Sequence, residues 1–294
     1  MPNILYHPTD TLYHYTSFSG LEGILKSGTL WFSDILSMND PREINLGMSD
    51  VISALNDLRH GVWAGPDGLR LSLFAGHLNT YMRRQRLLSC SFSHFGDELP
   101  MWEAYADRAR GVSIGFRPTA ITSMPIMIQR IKYVDENGDK TLRKEVGRIL
   151  TPLMKAGVGV NTLPWTFAAS EIAGLIANLK HKTWSYEREV RCSHAAVTQE
   201  DKAFINGHQI PAHTGDTNDE FFTPLATRKV GEKEINFAPL DFGLFRRGRH
   251  ERSGAISEVI IGPRSKASEN DITNLLSEFE YQNWRVRQSH CQIR

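Results

Sequence analysis

The chain has only 3 cysteines in 294 residues: Cys90, Cys192 and Cys291. They are far apart and form no CxxC pair. That argues against a disulfide framework or a cysteine zinc site, and leaves idle or buried thiols in a reducing compartment as the expectation. The 11 histidines include no HExxH and no pair at ligand spacing beside a cysteine, so no metal is expected. No apolar run approaches the ~18 residues that a membrane-spanning helix needs. The opening MPNILYHPTDTLYHY lacks both a basic start and an apolar stretch, so it does not read as a signal peptide. The expectation is a cytoplasmic protein with no membrane partner. An excess of one charge is missing too: Lys plus Arg total 34 against 33 for Asp plus Glu, a net charge of +1. This excludes a strongly basic nucleic-acid coat or an acidic tail, though not a local basic patch. Glycine loops of the Walker or Rossmann type are absent, so phosphate cradling by such a loop is unsupported.

What is there has an ordinary soluble composition, 40% hydrophobic and 23% charged. The length suits one large domain or two small ones. No internal repeat is visible. Strand-like segments run from end to end with helices between them, but without regular βαβ alternation. That favours an α+β fold over a doubly wound parallel sheet. TLYHYTS, 11–17, reads as a strand with Leu12, His14 and Thr16 on one face and Tyr13 and Tyr15 on the other. A helix follows, with Ser19 and Glu22 as a capping box, Leu21, Ile24 and Leu25 as its apolar stripe and Gly28 as its stop. TLWFS, 29–33, is a second short strand. MNDPREI starts another helix, with Asp40 as cap, Pro41 at the first position and Glu43 at the third, continued by Ile44, Met48, Val51, Ile52 and Leu55. LLSCSFS (87–93), GVSIGF (111–116), IMIQRIKYV (126–134) and AISEVIIGP (255–263) read as strands. LRLSLFAGHLNTYMRRQ, LPMWEAYAD and SENDITNLLSEF read as helices. The stretch near 138–182 reads as a helical insertion in two pieces, 205–240 as loop-rich with short strands, and NWRVRQSHCQI as a final or edge strand.

The densest polar motif is KTWSYEREVRC, 182–192. In a strand, Glu187 and Glu189 share one face about 6–7 Å apart at the Cα level, with Arg188 on the other. Two carboxylates buried on one face raise each other's pKa. The motif is therefore either a set of solvated or Glu–Arg paired charges, or a pair serving sugar or water chemistry. His14 alone reads as a hydrogen-bonded strand residue. Trp102 and Tyr105, spaced i, i+3 on a short helix, alone read as core aromatics. FRRGRHER, 245–252, carries Arg246, Arg247, Arg249 and Arg252; it is a solvated loop or a nucleic-acid dock.

The combination says more than each part. YHYTS-x-x-G-L-x-x-I-L-x-S-G, from Tyr13 to Gly28, resembles the opening of the ADP-ribosyltransferase fold. It resembles poly-ADP-ribose polymerase catalytic cores and, more closely, the DNA-targeting ADP-ribosyltransferase toxins. Those toxins place the catalytic glutamate in a later strand, and Arg188-Glu189-Val190 is the counterpart here. The whole chain also resembles a large bacterial family filed as a domain of unknown function. The matching positions are His14-Tyr15-Thr16, Asn39-Asp40-Pro41 with Glu43, Ser91-Phe92-Ser93, Met101-Trp102 with Tyr105-Ala106, Trp184 with Glu187, Glu189 and Arg191, and Glu258 to Pro263. Met38 stands where that family usually has Phe.

These resemblances imply a single α+β domain over 1–294, built as a pair of twisted, mainly antiparallel sheets with peripheral helices. They imply an NAD-dependent ADP-ribosyltransferase-like enzyme moving ADP-ribose to a macromolecular acceptor, DNA, RNA or protein, in the manner of a toxin or phage-defence effector. Glu189 would be catalytic and Glu187 would assist. His14 and Thr16 would hold the ribose and carboxamide side, Tyr15 would also contact the cofactor, and Trp102 or Tyr105 would stack on nicotinamide. Arg191 or Arg42 would hold phosphate, and Arg246, Arg247 and Arg249 would dock a nucleic-acid acceptor. Glu258 is the rival catalytic glutamate. An NAD glycohydrolase and an inactive nucleotide- or nucleic-acid-binding module are the alternatives.

Overall fold

The computed structural model describes residues 6–35, 42–84, 86–135, 140–196 and 225–292. Asn39, Asp40 and Pro41, and 205–224 of the expected loop-rich stretch, lie outside them.

The opening unit is β1 (Leu12–Thr16), α1 (Phe18–Ser27) and β2 (Thr29–Asp34). The cap of α1 is Ser17 rather than Ser19: its hydroxyl accepts from the Gly20 N–H at 3.0 Å. The helix therefore starts earlier than expected. Gly20 takes the third position, and no capping box forms. A Cβ on Gly20 would lie 2.1 Å from Thr16 Oγ1, so glycine is what lets α1 sit this close to β1. Gly28 supplies the expected left-handed stop, with φ 69° and its N–H bonded to the Ile24 carbonyl.

The chain continues through α2 (Arg42–His60), α3 (Pro66–Arg84), β3 (Arg86–Ser93), α4 (Leu99–Tyr105), β4 (Val112–Phe116) and α5 (Pro118–Thr122). Then come β5 (Met127–Arg130), β6 (Lys132–Val134), α6 (Lys140–Lys155), α7 (Leu163–Ile176), β7 (Leu179–His181), a 3-10 turn (Lys182–Glu187) and β8 (Glu189–Ala196). The last elements are β9 (Ala226–Val230), β10 (Lys233–Asp241), β11 (Leu244–Arg246), β12 (Arg249–Glu251), β13 (Ile256–Ile261), α8 (Glu269–Glu278) and β14 (Arg285–Gln288).

The fold is α+β with mainly antiparallel strands. Its large sheet runs β14-β13-β4-β1-β3-β2-β10-β9, with β8 pairing both β3 and β5. Among the described residues ten strands join one branched network in place of the expected pair of sheets, and the other four form two small two-stranded sheets, β11-β12 and β6-β7. IMIQRIKYV breaks at Ile131 into β5 and β6, which pair different partners, β8 and β7. The last strand pairs only β13, in parallel, at the end of the sheet.

β3 is the branch point. One edge ladders to β8 along its whole length, from Arg86 opposite Ala196 to Ser93 opposite Glu189. The other edge meets β2 at one end, with Ser89 opposite Ser33, and β1 at the other, with Ser93 opposite Tyr13. Between these contacts, over Cys90, Ser91 and Phe92, β1 and β2 part and a cleft opens.

Apolar burial fixes these elements. Leu21 and Leu25 of α1, Ile121 of α5 and Ile272 and Leu276 of α8 pack on sheet residues such as Leu12, Phe32, Phe116 and Val259. Each such side chain contributes about 1.5–3 kcal/mol when fully buried. A second core joins α2, α3, α6 and α7 through Val51, Phe74, Val146, Trp165 and Ile172. The helical layer thus draws on α2 and α3 as well as on the expected insertion near 138–182, and that insertion ends in a strand and a 3-10 turn. Cys90 and Cys192 are free, buried and opposite one another across β3 and β8. Burial raises both thiol pKa values, Cys90 to about 12, which keeps them protonated and unreactive.

Candidate functional site

The cleft has a volume of about 610 Å³, inside the range of about 300–1,000 Å³ usual for small-molecule sites. One wall is β1 and the start of α1. The other is β2 with β9, and the end is closed by α4 and the 3-10 turn.

His14 stands on β1 over the parted edge of β3. Its Nδ1 lies 3.0 Å from the Ser91 carbonyl oxygen. A carbonyl only accepts, so Nδ1 carries the proton. Burial lowers the His14 pKa against the pull of that bond, so the ring is neutral near pH 7 and Nε2 is an acceptor. Thr16 lines the same wall. Tyr15 braces it: its hydroxyl donates to the Phe95 carbonyl at 2.9 Å and accepts from the Glu98 N–H at 3.1 Å.

Glu187 and Glu189 do meet, but not by strand alternation. Glu187 ends the 3-10 turn, Arg188 takes a left-handed conformation (φ 45°), and Glu189 starts β8. This break turns both carboxylates toward one ammonium. Lys180 Nζ, on β7, donates to Glu187 Oε2 at 2.5 Å and to Glu189 Oε2 at 3.0 Å. Arg191 donates from Nε to Glu189 Oε1 at 2.7 Å and from an Nη to Oε2 at 3.0 Å. The Ser91 hydroxyl donates to Glu189 Oε1 at 2.6 Å, and Tyr105 donates its hydroxyl to Glu187 Oε1. The Glu189 N–H donates to Tyr133 Oη at 2.8 Å.

The two carboxylates diverge in pKa. Burial pushes Glu189 up, but Arg191, Lys180 and Ser91 outweigh it and hold the pKa at about 2. Burial pushes Glu187 up as well, and Lys180 and Tyr105 offset it only in part, so its pKa is raised. One carboxylate is a fixed anion and its neighbour can exchange a proton, which is the pattern that separates a charge stabiliser from an acid–base group.

Not every expected residue reaches this place. Trp102 is fully buried, edge-on to Tyr15 at 5.0 Å, with Nε1 donating to Asp97 at 2.8 Å; it does not line the cleft, so Tyr105 is the one of the pair within reach of a ligand. Arg191 is also fully buried. Its guanidinium is committed to Glu189 and, through Nη1, to the Ala177 carbonyl at 2.7 Å, so it holds Glu189 and does not face a phosphate. Arg42 opens α2, and its side chain lies outside the described residues.

Glu258 is buried on β13 away from the cleft lining. It accepts from Tyr13 Oη at 2.6 Å, Arg285 at 3.0 and 3.1 Å and Arg287 at 3.4 Å. Burial opposes its ionisation, and Arg285 and Tyr13 lead in lowering its pKa.

Arg246, Arg247 and Arg249 sit on the β11–β12 hairpin, exposed beside Phe245. Arg247 and Gly248 form its turn with φ 51° and 80°, the left-handed pair that a tight hairpin demands. Gly111-Val112-Ser113-Ile114-Gly115 spells a G-x-S-x-G string, yet Ser113 is fully buried inside β4 and not on the exposed strand-to-helix turn that a nucleophile needs. Among the described residues no group of His, Cys, Asp and Glu could hold a metal ion, and no helix is long and apolar enough to cross a membrane.

Several site residues carry no local sequence signal. Lys180 is one lysine in a short parallel strand pair, and Tyr133 arrives from that pair's other strand. Ser91 lies in a motif quoted above, but nothing in the letters points its hydroxyl at Glu189. Trp31 and Arg228 join from β2 and β9.

Residues 101–192 match a family described as Protein of unknown function (DUF2971). That stretch carries Tyr105, Tyr133, Lys180, Glu187, Glu189 and Arg191, and so the whole carboxylate cluster except Ser91. No curated protein and no solved structure matches the chain.

Proposed function

We propose that the cleft binds NAD and that the protein transfers ADP-ribose from it to a macromolecular acceptor, nucleic acid or protein. One arrangement carries the reading: a glutamate held ionised by buried cations stands beside a glutamate of raised pKa, in a cleft whose wall offers a neutral histidine. The resemblance of the Tyr13–Gly28 stretch to ADP-ribosyltransferases supports the same assignment.

The reaction breaks the bond between ribose C1′ and the nicotinamide nitrogen. The electron pair leaves with nicotinamide, and positive charge develops on the ribose. Glu189 supplies fixed negative charge against that development. Glu187 accepts the proton of the acceptor O–H or N–H as the new bond to C1′ forms. His14 Nε2 accepts from a ribose hydroxyl. Tyr105 flanks the nicotinamide ring. The exposed Arg246, Arg247 and Arg249 suit a nucleic-acid acceptor, for which affinity falls steeply with salt.

A second reading has its own observation. Both oxygens of Glu189 already have protein donors, which favours a nucleotide-binding module without turnover. Nicotinamide release from NAD separates the readings. With lysate or nucleic acid added, release is expected, and it should fall by about a hundredfold or more in Glu189→Gln. His14→Ala, which leaves the ion cluster intact, serves as a second variant. Release without any acceptor means a glycohydrolase. NAD binding without release means the binding module. Neither release nor binding would overturn the proposal.

A further inference from the structure

The far wall of the cleft has a cation that the carboxylate cluster does not use. Arg228, on β9, lines the cleft and donates from Nη2 to Ser33 Oγ at 3.1 Å. Its guanidinium carbon lies 5.4 Å from the Trp31 ring centroid and 5.9 Å from that of Phe237. Its Nε is buried without an acceptor, and no carboxylate pairs with it among the described residues. The other cations near the cleft differ sharply: Lys180 and Arg191 are consumed by Glu187 and Glu189. Trp31 stacks on Phe237 at 4.3 Å and is still 48% exposed, a large apolar surface left at the cleft wall.

A guanidinium with spare donors, held by rings against a polar hydroxyl, fits an anion with several oxygens, and phosphate matches its fork. A half-exposed indole beside it fits a planar ring. We propose that Arg228, Ser33 and Trp31 form a nucleotide subsite, with Arg228 and Ser33 holding the phosphate groups and Trp31 shelving the base. This rests on the reading of the cleft as an NAD site and deepens it: the β2–β9 wall takes the adenosine diphosphate half, which leaves the nicotinamide ribose to Glu187, Glu189 and His14. Ser33 lies opposite Ser89 across β2 and β3, so this wall meets the floor of the cleft at the place where β2 leaves β3.

The test is calorimetric binding of ADP, inorganic pyrophosphate and NAD to the full chain and to Arg228→Gln, Trp31→Leu and Arg285→Gln, each checked for folding by thermal melting. Wild type should bind ADP, and Arg228→Gln should weaken it about ten- to hundredfold, while Arg285→Gln, outside the cleft, binds ADP as wild type does. Trp31→Leu should weaken ADP but leave pyrophosphate unchanged, which separates the base shelf from the phosphate hook. ADP binding that Arg228→Gln leaves intact would overturn the subsite and leave the NAD reading standing. ADP binding without NAD binding would keep the subsite and remove the NAD reading. No binding of either ligand would overturn both.

Discussion

Among the described residues there are two buried glutamate centres, and they are built alike up to a point. At the sheet end, Glu258 is 3% exposed and takes donors from Tyr13, Arg285 and Arg287. At the cleft, Glu189 is 4% exposed and takes donors from Ser91, Lys180 and Arg191, with Tyr105 serving Glu187. A buried carboxylate with an arginine and a hydroxyl is therefore ordinary structure in this fold. What sets the cleft apart is a second carboxylate on a shared ammonium, and the opposite pKa directions that follow. The partners differ too: Arg285 leaves 71% of its side chain in solvent, whereas Arg191 leaves none.

The largest effect should come from taking the cation out of the cleft centre, and the same change at the sheet end is the contrast. Arg191→Met leaves Glu189 buried with only the ammonium it shares, and should cost about 3–5 kcal/mol in chemical denaturation. Arg285→Met removes an exposed partner while Arg287 remains, and should cost at most about 1 kcal/mol. Similar losses from the two variants would erase the distinction between the centres. Next in size are the phenols. Tyr13→Phe and Tyr105→Phe each remove a hydrogen bond to a carboxylate and should cost about 1.5–3 kcal/mol. Only Tyr105→Phe should also raise the Glu187 pKa, which carbon-13 NMR of the labelled carboxyl would read.

The smallest and most discriminating effect is in pH. Glu189 is held at about 2 against an ordinary 4.5, so its stabilisation is present above 4.5 and is lost as pH falls toward 2. Glu258 is lowered as well and has the same sign. Glu187 is raised, so the folded state holds its proton the more tightly. Its contribution is full below the ordinary value and declines as pH rises through the raised one. In urea unfolding across a pH series, Glu258→Gln should flatten the acid limb, whereas Glu187→Gln should flatten the decline above pH 4.5. If Glu187→Gln flattened the acid limb instead, the assignment of opposite directions would be wrong.

Much of the frame was legible because local chemistry fixed it. Gly28 stopped α1 because only a residue at ease with positive φ ends a helix that way, and AISEVIIGP was a buried strand because its apolar run needs a sheet interior. The cap of α1 was misplaced because Ser17 and Ser19 are chemically equal, and the chain's exit from β1 decides between them. The carboxylate pair was legible as a motif but not as a geometry. A strand reading gives one shared face, while the left-handed turn at Arg188, which arginine seldom adopts, gives convergence on one lysine. Lys180, Tyr133 and Arg228 were hidden because sequence-distant pairings bring them in: β6 with β7, and the β9–β10 hairpin with β2. Trp102 was overread, since an indole on a short helix looks the same whether it faces a ligand or packs behind a tyrosine.

The parted edge of β3 bears on aggregation. An uncovered strand edge normally recruits strands from other chains, and proteins spend charge, prolines or bulges to prevent it. Here the uncovered stretch is only Cys90 to Phe92, and it is bounded at both ends by β1 and β2. An intruding strand has no length to zip along. A small polar molecule faces no such limit, because single hydrogen-bonding groups are all it needs. His14 already takes the Ser91 carbonyl in that gap, so the parting of two strands gives a ligand a cleft while denying a polymer an edge.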